Sequence, residues 1–231
     1  MQYIYTTGKG DSYPIELDYK AILSDQLVSD YNRVTGYCKT GCKNYNYAGG
    51  CPPLAPNFEL LREKYPLAVL IYARLYSEFK PDKVKASEKV YIHYRFQDII
   101  LSNLLTNLGY ELTRKNRNQI FFLNNGYCMG CGNKKCNFKL GNNFCANPDR
   151  RTFSLEACGV DVEASLKKIF NIELQWYNKS NYNTVEHMTK AIALLCKNHA
   201  QQAELSNSLI GCLNGLSSRG DGSRGRFGTK I

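Results

Sequence analysis

Seven of the ten cysteines fall in two short stretches, and this grouping is the strongest chemical signal in the chain. The first set is Cys38-x3-Cys42-x8-Cys51, with Pro52 and Pro53 immediately after the last thiol. The second is Cys128-x2-Cys131-x4-Cys136-x8-Cys145, four thiols within eighteen positions. A thiolate needs a cation or a cluster to offset its charge, and ligands close together along the chain reduce the entropy of assembling a site. The second set is therefore close to a complete four-sulfur site, and the first supplies three soft ligands.

Zinc and iron–sulfur clusters both accept four thiolates, so ligand type alone does not separate them. Zinc ribbons favour two Cys-x2-Cys knuckles, and this chain has one, Cys128 with Cys131. The graded spacings are closer to iron–sulfur loops, as is a proline after Cys51 that removes a backbone donor and stiffens the chain beside a sulfur. The expected cofactor is an iron–sulfur cluster of the 4Fe–4S type, one or two per chain, with zinc as the alternative. Three thiolates leave one iron of a cubane without a cysteine, so the first set could present an open iron unless Cys158 or a carboxylate closes it.

The other reactive side chains carry weaker signals. Cys158, just before Gly159, reads as a small buried residue, and Cys196 and Cys212 sit among apolar neighbours. His93, His187 and His199 have no paired spacing, and no Walker loop, dinucleotide fingerprint or Ser-His-Asp order occurs. Arg219-Gly220-Asp221 spells an adhesion tripeptide, read here as a chance match in a flexible tail.

These residues have to be held by a folded body. With 43% hydrophobic and 22% charged residues over 231 positions, the chain can bury a sizeable core and is not a disordered or collagen-like sequence. The longest apolar stretch, from Pro66 to Tyr76, is too short to span a bilayer and contains Arg74, so no membrane segment is expected. The N-terminal residues lack the pattern of a secretory signal, which makes the cytoplasm the expected compartment and keeps the thiols reduced. The net charge of +10 is read as solvation, with only weak, salt-dependent contact to generic nucleic acid.

Tyr3 to Tyr5 reads as a short strand, and Ile22 to Val28 as a helical segment. Glycines and prolines from Tyr37 to Pro56 predict a loop wrapped around a bound group. Leu67 to Tyr76 suits a buried strand, and residues 86–108 a helix capped by Ser87 and ended by Gly109. Gln119 to Leu123 reads as a strand leading into a second loop, 126–148. Ser154 can cap a turn ending at Gly159, and Asp161 a helix through Phe170. Ile172, Leu174 and Trp176 alternate like a strand, while Met188 to Cys196 is compatible with strand or helix.

The expected architecture is α+β: a small mixed sheet with helices on one face and two cysteine-rich metal loops at one end. Residues 1–196 form a single metal-binding domain with loops 37–56 and 126–148. Residues 197–216 form a helical extension, and 217–231 a disordered tail of Gly, Ser and Arg.

The segments YCKTGCKNYNYAGGCPPLAP and YCMGCGNKKCNFKLGNNFCANPDRRTFSLEACGVDV together resemble the cysteine-rich predicted metal-binding protein family, domain of unknown function two-two-eight-four. The resemblance spans about residues 30 to 196. It implies metal or iron–sulfur binding by Cys38, Cys42, Cys51, Cys128, Cys131, Cys136 and Cys145, and it supplies no reaction. The gap before Cys145 is longer than the family pattern. The expected function is a cytoplasmic iron–sulfur protein that transfers electrons or performs small redox or sulfur-type chemistry, with a redox protein or a small molecule as partner. The alternative is a zinc-stabilised binding module for nucleic acid or a protein.

Overall fold

A computed structural model describes residues 1–218, apart from 115, 117, 118, 133 and 134. Six strands form one sheet: β1 (Gln2–Thr6), β2 (Ser12–Leu23), β3 (Leu67–Tyr76), β4 (Phe121–Asn124), β5 (Phe153–Ser154) and β6 (His187–Cys196). Their order is β1-β2-β3-β6-β4-β5, antiparallel throughout except for the parallel β4–β5 pair. The helices are α1 (Tyr31–Gly41), α2 (Phe58–Lys64), α3 (Asp82–Lys85), α4 (Val90–Thr113), α5 (Val162–Phe170) and α6 (His199–Ser218). The fold is α+β with a mixed sheet. No helix among the described residues is long and apolar enough to cross a membrane.

The central strand β3 is apolar on both sides because both sides are covered. Leu67, Val69, Ile71, Ala73 and Leu75 face a core shared with α4 and α6, whereas Ala68, Leu70 and Tyr72 face a second core. The two long helices therefore lie on one face. The short helices α2 and α5 cover the other, through Phe58, Leu61 and Leu166. Helix α4 has no side-chain N-cap, which costs about 1 kcal/mol. Its four fully buried leucines, Leu101, Leu104, Leu105 and Leu108, are worth about 1.5–3 kcal/mol each, so packing decides that the segment is helical.

Several local expectations are corrected. Ile22 and Leu23 end strand β2, and the chain then makes one turn at Ser24–Gln26 in place of a helix. Pro14 disguises β2, yet pairing with β3 begins only at Glu16, so the missing N–H has no strand to meet on that side. Tyr37 and Cys38 belong to α1 rather than to a loop. The Asp30 carboxylate caps that helix by accepting from the Arg33 N–H, and Arg33 in turn reaches Asp161 at 2.7 Å. Residues 172–176 form no strand; instead the Gln175 side chain accepts from the Glu186 N–H at 2.7 Å. Met188 to Cys196 lies within β6. The tail expected at 217–231 lies outside the described residues beyond the end of α6 at Ser218.

Ser87 does not cap α4, whose first residue is Val90, and Gly109 lies inside that helix rather than past its end. A Cβ on Gly109 would overlap the Phe122 ring on β4. Alanine would add about 1 kcal/mol of helix propensity, against about 1–3 kcal/mol for overpacking. Gly109→Ala is therefore expected to lower stability by about 1 kcal/mol net, read as a reduced denaturant midpoint. A raised midpoint would show that Phe122 yields freely.

Candidate metal centre

The first three thiols are set by α1 and a coil of tight turns. Cys38 occupies the last turn of α1, and the Cys42 N–H closes that turn on the Cys38 carbonyl at 3.1 Å. Beyond it, the N–H groups of Tyr45, Ala48, Cys51 and Leu54 bond the carbonyls of Cys42, Asn44, Ala48 and Cys51 at 3.0 Å each. A segment without strand partners thus satisfies much of its backbone locally.

The second loop closes directly on the first. Gly49 lies under the Phe138 ring, where a Cβ would overlap it. A Cβ on Gly50 would sit 2.6 Å from both the Cys128 Cβ and the Thr152 carbonyl oxygen. Arg151 donates to the Gly49 carbonyl through Nε at 2.8 Å and Nη2 at 2.5 Å, and to the Leu54 carbonyl at 3.3 Å. Its guanidinium also stacks over Phe138 and Phe153. Lys139 adds a second tie, donating to the Asn44 side chain at 2.6 Å. The ends of both cysteine sets are therefore brought against each other.

The thiols sit in contrasting fields. Burial, then Cys42, Cys38 and Cys128, push the Cys51 thiol up to about 11 despite the opposing charge of Lys139. Cys38 is raised by burial, by Cys42 and by Glu156. Burial also raises Cys136, but N–H groups of Gly49, Phe138 and Lys139 and the Lys139 charge outweigh it and bring the thiol below its ordinary value. Backbone N–H groups of Gly130 and Thr152 point at the Cys128 sulfur at 3.4 and 3.3 Å, and the Asn147 amide at the Cys131 sulfur at 3.7 Å. The buried Thr152 hydroxyl, one residue beyond Arg151, has no hydrogen-bond partner.

Cys38, Cys42, Cys51 and Cys128 thus share one electrostatic neighbourhood, and Cys136 lies against Gly49 of the same coil. Cys131 and Cys145 are half-buried on the second loop. Among the described residues, no three His, Cys, Asp or Glu side chains converge closely enough to hold a single ion. Cys158 is fully buried in the second core, and Cys196 lies in β6 with its thiol pushed up to about 12 by burial. Arg219 to Asp221 lie outside the described residues. Sequence reasoning missed Gly49, Gly50, Lys139, Arg151 and Thr152. The only local hint was the basic doublet Arg150-Arg151, because their roles exist only once the two loops meet.

A cleft of about 1080 Å³ runs from these loops along α4. It opens where the sheet has a notch: β4 pairs only with Ala193 to Leu195, so among the described residues the rest of β6 has no partner strand on that side. Tyr37, Tyr127 and Met129, neighbours of the thiols, form one wall, and Tyr94 and Asp98 of α4 another. In its floor Lys190 bonds Asp98 at 2.5 Å and Ser102 at 2.8 Å, replacing an apolar residue in the row that faces α4.

Two cysteine loops closed on each other beside an open cleft define a cysteine-rich α+β protein of the metal-binding kind. The chain belongs to the predicted metal-binding protein family DUF2284, whose model matches residues 21–195. No curated protein and no solved structure matches it.

The contact at Gly50 yields a direct test. Gly50→Ala places a methyl group against the Thr152 backbone, which cannot swing aside as a side chain would. The expected result is separation of the loops, seen as a several-fold loss of bound metal and a lower melting temperature. Unchanged metal content would show that the two loops do not depend on this approach.

Proposed function

We propose that the centre holds an iron–sulfur cluster and that the protein is a cytoplasmic electron-transfer or small redox protein acting on a molecule bound in the adjoining cleft. The observation that carries this reading is the closure of the two cysteine loops on each other, with Gly50 packed against the Cys128 Cβ and Arg151 bonded to the Gly49 carbonyl. Cys128 would then supply a fourth thiolate to Cys38, Cys42 and Cys51. Cys131, Cys136 and Cys145 form the remaining group. When bound, the cluster supplies one-electron transfer.

The surroundings fit such a group chemically. N–H donors reach the Cys128 sulfur, and others bring the Cys136 thiol below its ordinary value; donors of this kind tune a cluster's potential. The unpartnered Thr152 hydroxyl, buried one residue from the Arg151 clamp and with its own N–H on the Cys128 sulfur, is a further donor for an added acceptor. Tyr37, Tyr127 and Met129 flank ligand cysteines and also line the cleft, so a substrate there lies one residue away from the thiols. The Lys190–Asp98 pair in the floor offers polar recognition to that substrate.

Protein purified without oxygen is expected to contain iron and acid-labile sulfide. Cys51→Ala and Cys128→Ala should each abolish the same cluster absorption, although the two residues come from different loops. Stoichiometric zinc in a colourless preparation, with no iron uptake on reconstitution, would replace this reading with a zinc-stabilised binding module. A Cys128→Ala protein that keeps the spectrum lost in Cys51→Ala would return the ligands to a loop-by-loop grouping.

A further inference from the structure

Away from the thiols, Lys80 is buried to 4% exposure between the end of β3 and α4. Its ammonium donates to the Tyr177 hydroxyl at 2.7 Å and to His93 Nδ1 at 3.5 Å. His93 Nε2 faces the Ser87 carbonyl at 2.7 Å and so carries the ring proton, which leaves Nδ1 as an acceptor. The Tyr177 hydroxyl donates to the Gln97 carbonyl oxygen, and the Gln97 amide donates to the Leu75 carbonyl at 2.7 Å. Every partner of the ammonium is therefore neutral. Among the described residues no carboxylate pairs with it, and no acceptor takes its third N–H.

This arrangement exceeds what the fold requires. A buried ammonium without a counter-charge is strongly disfavoured, whereas a methionine of similar length would fill the same space without that penalty. Burial alone draws the ammonium's pKa down to about 8. Beside it opens a hollow of about 620 Å³, also lined by His93, Ser77 and the exposed Lys85. Glu78 and Glu186 lie on the same lining but are exposed to solvent, and neither reaches the ammonium.

We propose that this hollow binds the carboxylate or phosphate group of a small molecule, which accepts the third N–H of Lys80 and supplies its missing counter-charge. Lys85 adds a second cation at the mouth. The buried ammonium orients the oxyanion, and Tyr177 and His93 hold the ammonium in place. The site is separate from the thiol centre and does not depend on a bound metal.

The test uses the full chain with 13C-labelled lysine side chains, titrated in separate arms with sodium acetate and sodium phosphate against sodium chloride of equal ionic strength. The Lys80 resonance, identified by its absence in Lys80→Met, is expected to shift saturably with acetate, phosphate or both, and not with chloride. Acetate alone would assign a carboxylate ligand, and phosphate alone a phosphate ligand. Lys85→Ala should weaken the apparent affinity several-fold. In parallel, the effective oxyanion should raise the melting temperature of the wild-type protein and lose that increment in Lys80→Met. A Lys80 resonance unmoved by either oxyanion, or an equal thermal increment in Lys80→Met, would overturn the proposal.

Discussion

The approach of two bare stretches of backbone, Gly49 and Gly50, to the second cysteine loop is the contact on which the centre depends. Phe138 occupies the space a side chain on Gly49 would need, and Cys128 with Thr152 the space at Gly50. Among the described residues neither loop has strand partners of its own across this region, so each requires an organiser to stay ordered. Arg151 supplies part of that order by bonding the Gly49 and Leu54 carbonyls while stacking on two phenylalanines. A hydrogen bond from a charged donor is worth about 1.5–3 kcal/mol, comparable to burying a leucine side chain. The clamp therefore rivals a core contact in strength, although it lies among irregular segments.

The sheet contributes by what it omits. A full-length β4 would cover the edge of β6, but β4 ends at Asn124 and leaves a notch that becomes the cleft. Lys190 and Asp98 face each other across this notch with side chains 18% and 12% exposed. Replacing a buried ion pair by apolar residues is commonly neutral or stabilising. Stability alone does not account for a charged pair at this position, and its place in the floor of the cleft does. Lys80 poses the same question in sharper form, since among the described residues its charge has no acidic partner.

Much of the architecture was legible because its cause is local. Strand β3 coincides with the apolar run from Leu67 to Tyr76, and Asp161 caps α5 as its position before the helix demands, accepting from the Ala164 N–H. The core leucines of α4 recur at helical spacing, so the helix was visible even though its ends were misplaced. Strand β2 was hidden by Pro14, whose effect depends on where pairing with β3 begins. Helix α1 was hidden by Gly36 and Gly41. It is stabilised from a distance, by Arg33 on Asp161 and by the Asp30 N–H on the Gly159 carbonyl.

The sequence by itself determined the donor chemistry: seven thiols in two clusters, in an order and spacing that identify a metal-binding family. Residue type and short-range spacing are properties of the chain, and they survive without coordinates. Only the tertiary structure decided that Gly50 packs against Cys128 and Thr152, that Arg151 ties the second loop to Gly49 and Leu54, and that a cleft opens beside them. Those relations join residues about eighty to a hundred positions apart, and no periodicity or local propensity encodes contacts of that range. They are set by which elements the sheet brings together and by where β4 stops.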